Sequence, residues 1–159
     1  MKEYTYVMLK PDGVELKLGE LVVELFNKND LLVLNDYRNT LLKLNKNIVM
    51  EHYAHLIDKP FYPDLEEFML SGMVMPMVVY GENAVEKVRF LIGPTNVKKA
   101  QEVAPSSIRA RFGNPDFGPS NVIHASDSPD NAIIEIERFF GQKILQPEKA
   151  CVKRLNCRL

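Results

Sequence analysis

Residues 121–130 read Asn-Val-Ile-His-Ala-Ser-Asp-Ser-Pro-Asp, an apolar run typical of a buried strand that passes directly into the start of a helix. Ser128 and Pro129 are the residue types preferred at a helix N-cap and first turn. The unpaired backbone N–H groups of a helix start attract anions. The stretch therefore predicts an anion site close to His124.

A carboxylate follows this histidine in the predicted helix, because Glu135 falls in its second turn. Glu135 can accept the N–H of one imidazole nitrogen and leave the other nitrogen unprotonated as a nucleophile. The alternative is a hydrogen-bonded core histidine beside an ordinary capped helix. These residues alone leave both interpretations open.

Strand and helix patterns alternate through the rest of the chain. Runs of β-branched and aromatic residues predict strands, and apolar residues spaced i, i+3, i+4, i+7 predict helices. We expect a turn at 10–13, with Lys10 at the strand end before it, and a capping box at Asn83 and Glu86. The predicted strands are 4–9, 31 to about 44, 74–80 and the segment around His124; the predicted helices are 18–28, 45–56, 65–69, 83–92 and 129–140.

This order is a split βαβ pattern, βαββαβ with additions, which predicts an α+β fold with a four-stranded antiparallel sheet covered by helices. The additions are a helical hairpin before the third strand and a long loop, 94–120, before the last strand. Residues 107–112 in that loop predict one or two helical turns that place Arg109 and Arg111 on different faces. Apolar residues spread through the loop favour an assembly role, so we expect a homo-oligomer.

Length and charge restrict the function. The 159 residues fit one domain, which we place at 1–141, followed by an extended tail at 142–159. Twenty Lys and Arg residues against 21 Asp and Glu give a net charge of −1, so nucleic acid is not expected as a primary partner. No apolar run is long enough for a membrane span or a signal peptide, so we expect a cytoplasmic protein with no membrane partner.

The potential metal ligands are few. Cys151 and Cys157 are too few for a disulfide framework or a zinc site, and we expect free thiols in a solvated tail. His52 and His55 stand three residues apart on the predicted helix, but no third ligand is evident. We therefore predict that these histidines lie on an exposed face and that the protein itself holds no metal.

Six motifs, in order, closely resemble those of the nucleoside diphosphate kinases. The resemblance covers about residues 4–140, and the absence of a P-loop motif removes the alternative phosphate cradle. The motifs are Lys10-Pro-Asp-Gly13, His52-Tyr53, Pro60-Phe61, Gly93-Pro-Thr95-Asn96, Ser107-Ile-Arg109 and Asn121-Val-Ile-His-Ala-Ser-Asp-Ser128.

The resemblance implies a ferredoxin-like fold and a ping-pong exchange, in which a nucleoside triphosphate phosphorylates a histidine and a nucleoside diphosphate then removes the phosphate. His124 matches that histidine, with attack through Nδ1. Magnesium is implied together with the nucleotide phosphates. The other matched positions are Lys10 at phosphate and ribose, Tyr53 near the transferred phosphate, Arg89, Thr95 and Arg109 at the phosphates, Asn121 at the ribose, Phe61 under the base with Leu56 and Leu65 nearby, and Ser126 and Glu135 around the histidine.

Some segments depart from the common form of the family. The turn after Gly13 is shorter, and the segments between Thr95 and Arg109 and between Phe112 and Asn121 are longer. The second longer segment resembles the loop that packs subunits together, so the type of oligomer is left open. A catalytically silent nucleotide-binding or scaffold homologue is the alternative function, but such a chain would be expected to lose His124, Lys10 or an arginine, and none is lost.

Overall fold

The computed structural model describes residues 1–145, and an antiparallel sheet lies at its centre. The strand order is β2-β4-β1-β5, with a short β3 paired to β4. This is the predicted ferredoxin-like arrangement of four antiparallel strands. The strands are β1 (Lys2–Leu9), β2 (Leu31–Val33), β3 (Leu42–Lys43), β4 (Met73–Glu82) and β5 (Ile123–Ala125).

Helices cover both faces of the sheet. They are α1 (Pro11–Glu15), α2 (Gly19–Lys28), α3 (Lys46–His52), α4 (Tyr62–Leu70), α5 (Ala84–Ile92), α6 (Val97–Val103), α7 (Ile108–Phe112) and α8 (Pro129–Phe140). Successive side chains of a strand point to opposite faces. Val7 and Leu9 of β1 therefore pack with α2 and α5, whereas Tyr6 and Met8 pack with α3, α4 and α8.

Several local predictions are confirmed. The side chains of Asn45 and Ser128 cap α3 and α8 by accepting the backbone N–H three residues on. The helices α3 and α4 form the predicted hairpin, and α5 ends at Gly93, whose φ is +83°. None of the described helices is long and apolar enough to cross a bilayer.

Other local predictions are wrong. The segment at 10–13 enters α1 instead of a turn, and the strand predicted to run from 31 to about 44 ends at Val33, with a 3-10 helix at Tyr37–Asn39 before β3. No capping box forms at Asn83, and the Glu3 carboxylate accepts the Val85 N–H instead. The loop 94–120 contains α6 as well as the predicted turns of α7.

The C-terminal segment differs from the prediction where it is described. Residues 142–145 form a 3-10 helix where an extended tail was expected, and Leu145 accepts a hydrogen bond from the Tyr4 hydroxyl at 3.2 Å. Cys151 and Cys157 lie outside the described residues. The division into a domain at 1–141 and a tail at 142–159 stays a prediction.

Pro76 lies inside β4, which is a central strand and not an edge strand. Its backbone faces a gap between β2 and β3, where no strand needs the missing N–H group. Asn35 and Thr40 fill this gap and donate side-chain hydrogen bonds to the Pro76 carbonyl at 3.1 and 3.0 Å. Side-chain bonds thus replace strand pairing at the point where the predicted long strand is broken.

The entry to β5 is fixed by the segment that follows β1. Val122 has a φ of +63°, a strained value for a β-branched residue. Its N–H donates to Oδ2 of Asp12 at 3.1 Å, and its carbonyl accepts the Lys10 N–H at 2.9 Å. Gly13 lies so close that a Cβ there would overlap the same carbonyl oxygen.

We predict that Gly13→Ala destabilises the protein by about 1–3 kcal/mol, because the added methyl group displaces backbone and not a flexible side chain. This net cost already includes the gain in helix propensity of about 1 kcal/mol that alanine brings. Urea unfolding measures the change. Gly118→Ala is the control, since nothing lies within 4 Å of its added Cβ, and equal stability of the two variants would contradict the prediction.

Candidate active site

A cavity of about 1160 Å³ opens where the ends of β1 and α3, the loop after α5 and the start of β5 meet. It is large enough for a small organic ligand. Every predicted site residue except Ser126 lines it: Lys10, Tyr53, Leu56, Phe61, Leu65, Arg89, Thr95, Arg109, Asn121, His124 and Glu135.

The His124 ring has two different nitrogens. Its Nε2 lies 2.8 Å from Oε2 of Glu135, and the Ser126 hydroxyl donates to the same oxygen at 2.9 Å. A carboxylate accepts hydrogen bonds, so Nε2 carries the proton. Nδ1 has no hydrogen-bond partner within residues 1–145. The predicted contact between Glu135 and the imidazole is present, and Nδ1 keeps a free lone pair.

Burial and neighbouring cations keep His124 uncharged. Desolvation, followed by the charges of Lys10 and Arg109, lowers the pKa of His124 to about 3. Desolvation also raises the pKa of Glu135, and the electrostatic interaction with His52 and the hydrogen bond from Ser126 oppose that rise. A neutral ring keeps a lone pair on Nδ1, which is what a nucleophilic nitrogen requires.

Two cations are buried beside the histidine. Burial, followed by the charge of Arg109, lowers the pKa of Lys10 to about 7, while Asp12 opposes the shift. Its Nζ donates to the Pro119 carbonyl at 3.1 Å. Burial, followed by the charge of Arg89, lowers the pKa of Arg109 to about 10.

Arg109 also supports the backbone of the site. Its Nη1 donates to the Gly93 carbonyl at 2.9 Å and its Nη2 to the Ile123 carbonyl at 2.8 Å. Its Nε is buried without a partner. Arg89 and Arg111 are exposed, and Arg109 is buried, so the predicted separation of Arg109 and Arg111 is confirmed.

The remaining predicted residues form the walls. Phe61 is 48% exposed at the cavity rim, whereas Leu65 is buried. Asn121 donates from Nδ2 to the Thr95 carbonyl at 3.0 Å, and its buried Oδ1 has no partner. Tyr53 presents its ring to His124 with centroids 6.2 Å apart, but its hydroxyl contacts Sδ of Met69.

Sequence reasoning missed His52, which we expected on an exposed face. His52 is buried, and its ring centroid lies 4.5 Å from that of His124. Its Nδ1 lies 3.0 Å from Nη1 of Arg138, which was also missed. A usable signal existed, because position 52 follows Ile48 and Val49 on the apolar stripe of α3. His55 is exposed, as expected.

His52, His124 and Glu135 form a compact cluster whose potential ligand atoms all lie within 4.8 Å of one another. A metal-binding imidazole must present an unprotonated nitrogen to the ion. The hydrogen bond from Arg138 uses the lone pair of His52 Nδ1 and places the proton on Nε2. The cluster is therefore arranged for hydrogen bonding and not for metal ligation.

Comparisons with known proteins agree along almost the whole chain. A family model described as nucleoside diphosphate kinase matches residues 3–145. The nucleoside diphosphate kinase of Listeria innocua is 41% identical over 150 residues, with 93% of this chain and 96% of the relative covered. That of Archaeoglobus fulgidus is 43% identical over 150 residues, with 93% of each protein covered.

Solved structures give the same result. The nucleoside diphosphate kinase of Aquifex aeolicus matches with a TM-score of 0.78 and 36% identity, covering 88% of this chain and 96% of that one. A halophilic nucleoside diphosphate kinase from Halobacterium salinarum, solved in complex with CDP, matches with a TM-score of 0.76 and 37% identity, covering 89% and 90%.

The lowered pKa of Lys10 leads to a prediction about anion binding. At pH 8 the amine of Lys10 is mostly neutral, because its pKa is about 7. A bound polyanion favours the charged amine, so binding of pyrophosphate at pH 8 should take up about one proton more in the wild-type protein than in Lys10→Met. At pH 6 Lys10 is already charged, so the wild-type protein and Lys10→Met should take up nearly the same number of protons.

Isothermal titration in buffers of different ionisation enthalpy measures this proton uptake. The comparison with Lys10→Met removes the protons exchanged by pyrophosphate itself. His124 and Arg109 do not contribute, since their pKa values of about 3 and about 10 lie outside the range. The same proton uptake in the two proteins at pH 8 would show that Lys10 has an ordinary pKa.

Proposed function

The chain belongs to the nucleoside diphosphate kinase family, and we propose that it transfers the terminal phosphate of a nucleoside triphosphate to a nucleoside diphosphate through Nδ1 of His124. The observation that carries the proposal is the pairing of Nε2 with Glu135, which leaves Nδ1 as the free nitrogen of a cavity-lining ring. Nothing in the cavity favours the silent alternative.

The proposed exchange has two steps. Nδ1 attacks the terminal phosphorus, the bond from phosphorus to the bridging oxygen breaks, and the nucleoside diphosphate leaves with the electron pair of that bond. The His124 ring becomes positively charged, and Glu135 stabilises the charge through the proton on Nε2. An oxygen of a second nucleoside diphosphate then attacks the same phosphorus, and the bond to Nδ1 breaks. Two transfers of the same kind make the exchange reversible.

We propose that three cations hold the transferred phosphoryl group. Arg89 stands at the cavity surface, and Lys10 and Arg109 lie deeper beside His124. Phosphoryl transfer depends mainly on positioning and on charge stabilisation at the phosphoryl oxygens. Lys10 must exchange its bond to the Pro119 carbonyl for one to the substrate.

Magnesium fits this site through the nucleotide. Glu135 already accepts bonds from His124 and Ser126, and Asp127 accepts one from Asn131. Lys10, Arg89 and Arg109 line the same cavity and supply positive charge for phosphate. Mg²⁺ usually binds through substrate phosphates and water rather than an all-protein cage. We propose that it arrives on the nucleotide and neutralises phosphate charge there.

The nucleoside is proposed to lie between the rim and Asn121. The exposed ring of Phe61 offers a stacking surface, with Leu56 and Leu65 below it. Stacking is worth about 1–3 kcal/mol for any base, so a broad base preference is expected. Asn121 and Thr95, already hydrogen-bonded to each other, stand at the ribose and phosphate positions.

Assembly and location are proposals as well. Phe90 on α5 and Val103 on α6 are 80% and 63% exposed, and such apolar side chains support a homo-oligomer. The type of oligomer is left open. The cytoplasm is the proposed location, and nucleic acid is not proposed as a primary partner.

The first prediction for this function is a phosphohistidine. Brief exposure to ATP and Mg²⁺ should add one phosphoryl group that is lost in acid, because a phosphorus–nitrogen bond to imidazole is acid-labile. Mass spectrometry before and after acid treatment measures it. His124→Ala should remain unlabelled, and a label that survives acid, or that forms equally in this variant, would contradict the proposal.

The second prediction concerns the ribose 3′-hydroxyl. Lys10 and Asn121 line the same cavity, so they can hold this hydroxyl between them and direct it toward the oxygen on which negative charge grows. Such a contact strengthens in the transition state, so its loss should appear in turnover more than in affinity. We expect 3′-deoxy-ADP to remove phosphate from His124 at least about tenfold more slowly than ADP. Equal single-turnover rates would remove Lys10 and Asn121 from this role.

A further inference from the structure

His52 links the His124–Glu135 pair to an arginine on the next turn of α8. Nη1 of Arg138 lies 3.0 Å from Nδ1 of His52, and Nε of Arg138 donates to Glu51 at 3.1 Å. The Arg138 side chain is only 12% exposed. Two neighbouring residues of α3 therefore hold the guanidinium group in place.

This contact determines the tautomer of His52. A guanidinium group has hydrogen-bond donors and no acceptor, so Nδ1 of His52 must be the acceptor. The neutral ring then carries its proton on Nε2. That atom is buried and has no partner within the described residues. A buried donor without a partner costs about 1–3 kcal/mol, so it is rarely retained without a reason.

The nearby acceptor best suited to this N–H group is the Glu135 carboxylate. Rings of Tyr6, Tyr53 and Phe139 surround His52. The Tyr6 hydroxyl is also buried without a partner, but it is a neutral acceptor. A carboxylate makes the stronger, charge-assisted hydrogen bond. A ring nitrogen of His52 lies within 4.8 Å of a ligand oxygen of Glu135 and of a ring nitrogen of His124. A hydrogen bond between atoms up to 4.8 Å apart requires a side-chain movement of at most about 2 Å.

We propose that His52 is a positioning residue that supplies the ionised Glu135 carboxylate with an additional N–H donor, both in the nucleotide-free site and when positive charge develops on His124, and that Arg138 fixes the required tautomer. This inference rests on the proposed phosphoryl transfer. His52 lines the cavity but is only 5% exposed, and we propose that it acts through Glu135 and not through a nucleotide contact. Its loss should therefore alter the protonation of Glu135 and the rate of phosphorylation, with little change in nucleotide affinity.

The charged surroundings make the sign of the effect predictable. The groups facing Glu135 and His52 come from four places in the fold. They are Tyr6 in β1 and Lys10 after it, Glu51 in α3 and Tyr53 after it, His124 in β5 with Ser126 and Asp127 after it, and Arg138 in α8. Burial holds the pKa of His52 well below its usual range, so it stays a neutral donor in mild acid. Burial raises the pKa of Glu135, and removal of a donor raises it further.

The test compares His52→Phe, which removes the donor, with His52→Gln, which keeps an N–H group at similar reach. ¹³C NMR titration of the Glu135 carboxyl in the nucleotide-free protein gives its pKa. We expect a rise of about one unit in His52→Phe and a value near wild type in His52→Gln. The acid limb of single-turnover phosphorylation by ATP should move by the same amount, about tenfold in rate below the midpoint, with nucleotide affinity unchanged.

¹⁵N NMR of labelled histidines tests the tautomer without any substitution in His52. Wild-type His52 should carry its proton on Nε2, and Arg138→Met should admit the Nδ1–H form. Arg111→Met, which removes an exposed arginine lying over Phe112, is the matched control and should change neither tautomer nor rate.

The possible outcomes distinguish a failure of this inference from a failure of the proposed function. A wild-type Nδ1–H tautomer would overturn the inference, as would an unchanged Glu135 pKa in folded His52→Phe. An equal shift of the Glu135 pKa in His52→Phe and His52→Gln would overturn the inference and leave His52 a packing role only. Absence of acid-labile phosphate on wild-type His124 would instead contradict the proposed function, whereas the two nucleotide-free NMR measurements would still decide the role of His52.

Discussion

The structure of the site depends on the carboxylate of Asp12. Its Oδ2 accepts the Val122 N–H at 3.1 Å and the Ser120 hydroxyl at 2.8 Å, and its Oδ1 accepts the Gly13 N–H at 3.0 Å. These bonds hold Val122 in its strained conformation. The next residue starts β5, which pairs with β1 over only three residues. The direction of the His124 side chain is therefore set by a residue 112 positions earlier in the chain.

The sequence predicted the parts of the fold that rest on periodic burial. The helix at 18–28 and the helix at 129–140 carry long apolar stripes, and both formed within a residue of the expected bounds. The strand expected from 31 to about 44 failed because Asn35 and Thr40 bond to the Pro76 carbonyl on a distant strand. Such side-chain bonds to backbone compete with strand pairing, and no local pattern reveals them.

The residues of the site also divide into those that the sequence predicted and those that it missed. The family motifs bring their side chains into one cavity, because each motif stands at the end of a strand or helix that reaches it. His52 and Arg138 were missed for a different reason. Their contact joins residues 86 positions apart, and neither has a distinctive neighbour in sequence. The apolar stripe of α3 could have identified His52 as buried, but only the packing of α3 against α8 identifies its partner.

Burial lowers the pKa of both His124 and Lys10, which suits the proposed nucleophile but removes the positive charge of the lysine at high pH. It favours the neutral, nucleophilic form of His124 above about pH 3, and it also favours the neutral form of Lys10 above about pH 7. The nucleotide-free site is therefore prepared for an anion only between these limits, with His124 uncharged and Lys10 charged. A bound phosphate stabilises the ammonium of Lys10 and moves the upper limit to higher pH. In the proposed reaction the phosphate has less effect on His124, because Nε2 is bonded to Glu135 and the phosphorus takes the lone pair of Nδ1. The substrate thus restores the charge that burial removes from the lysine, while the histidine keeps the neutrality that its reaction requires.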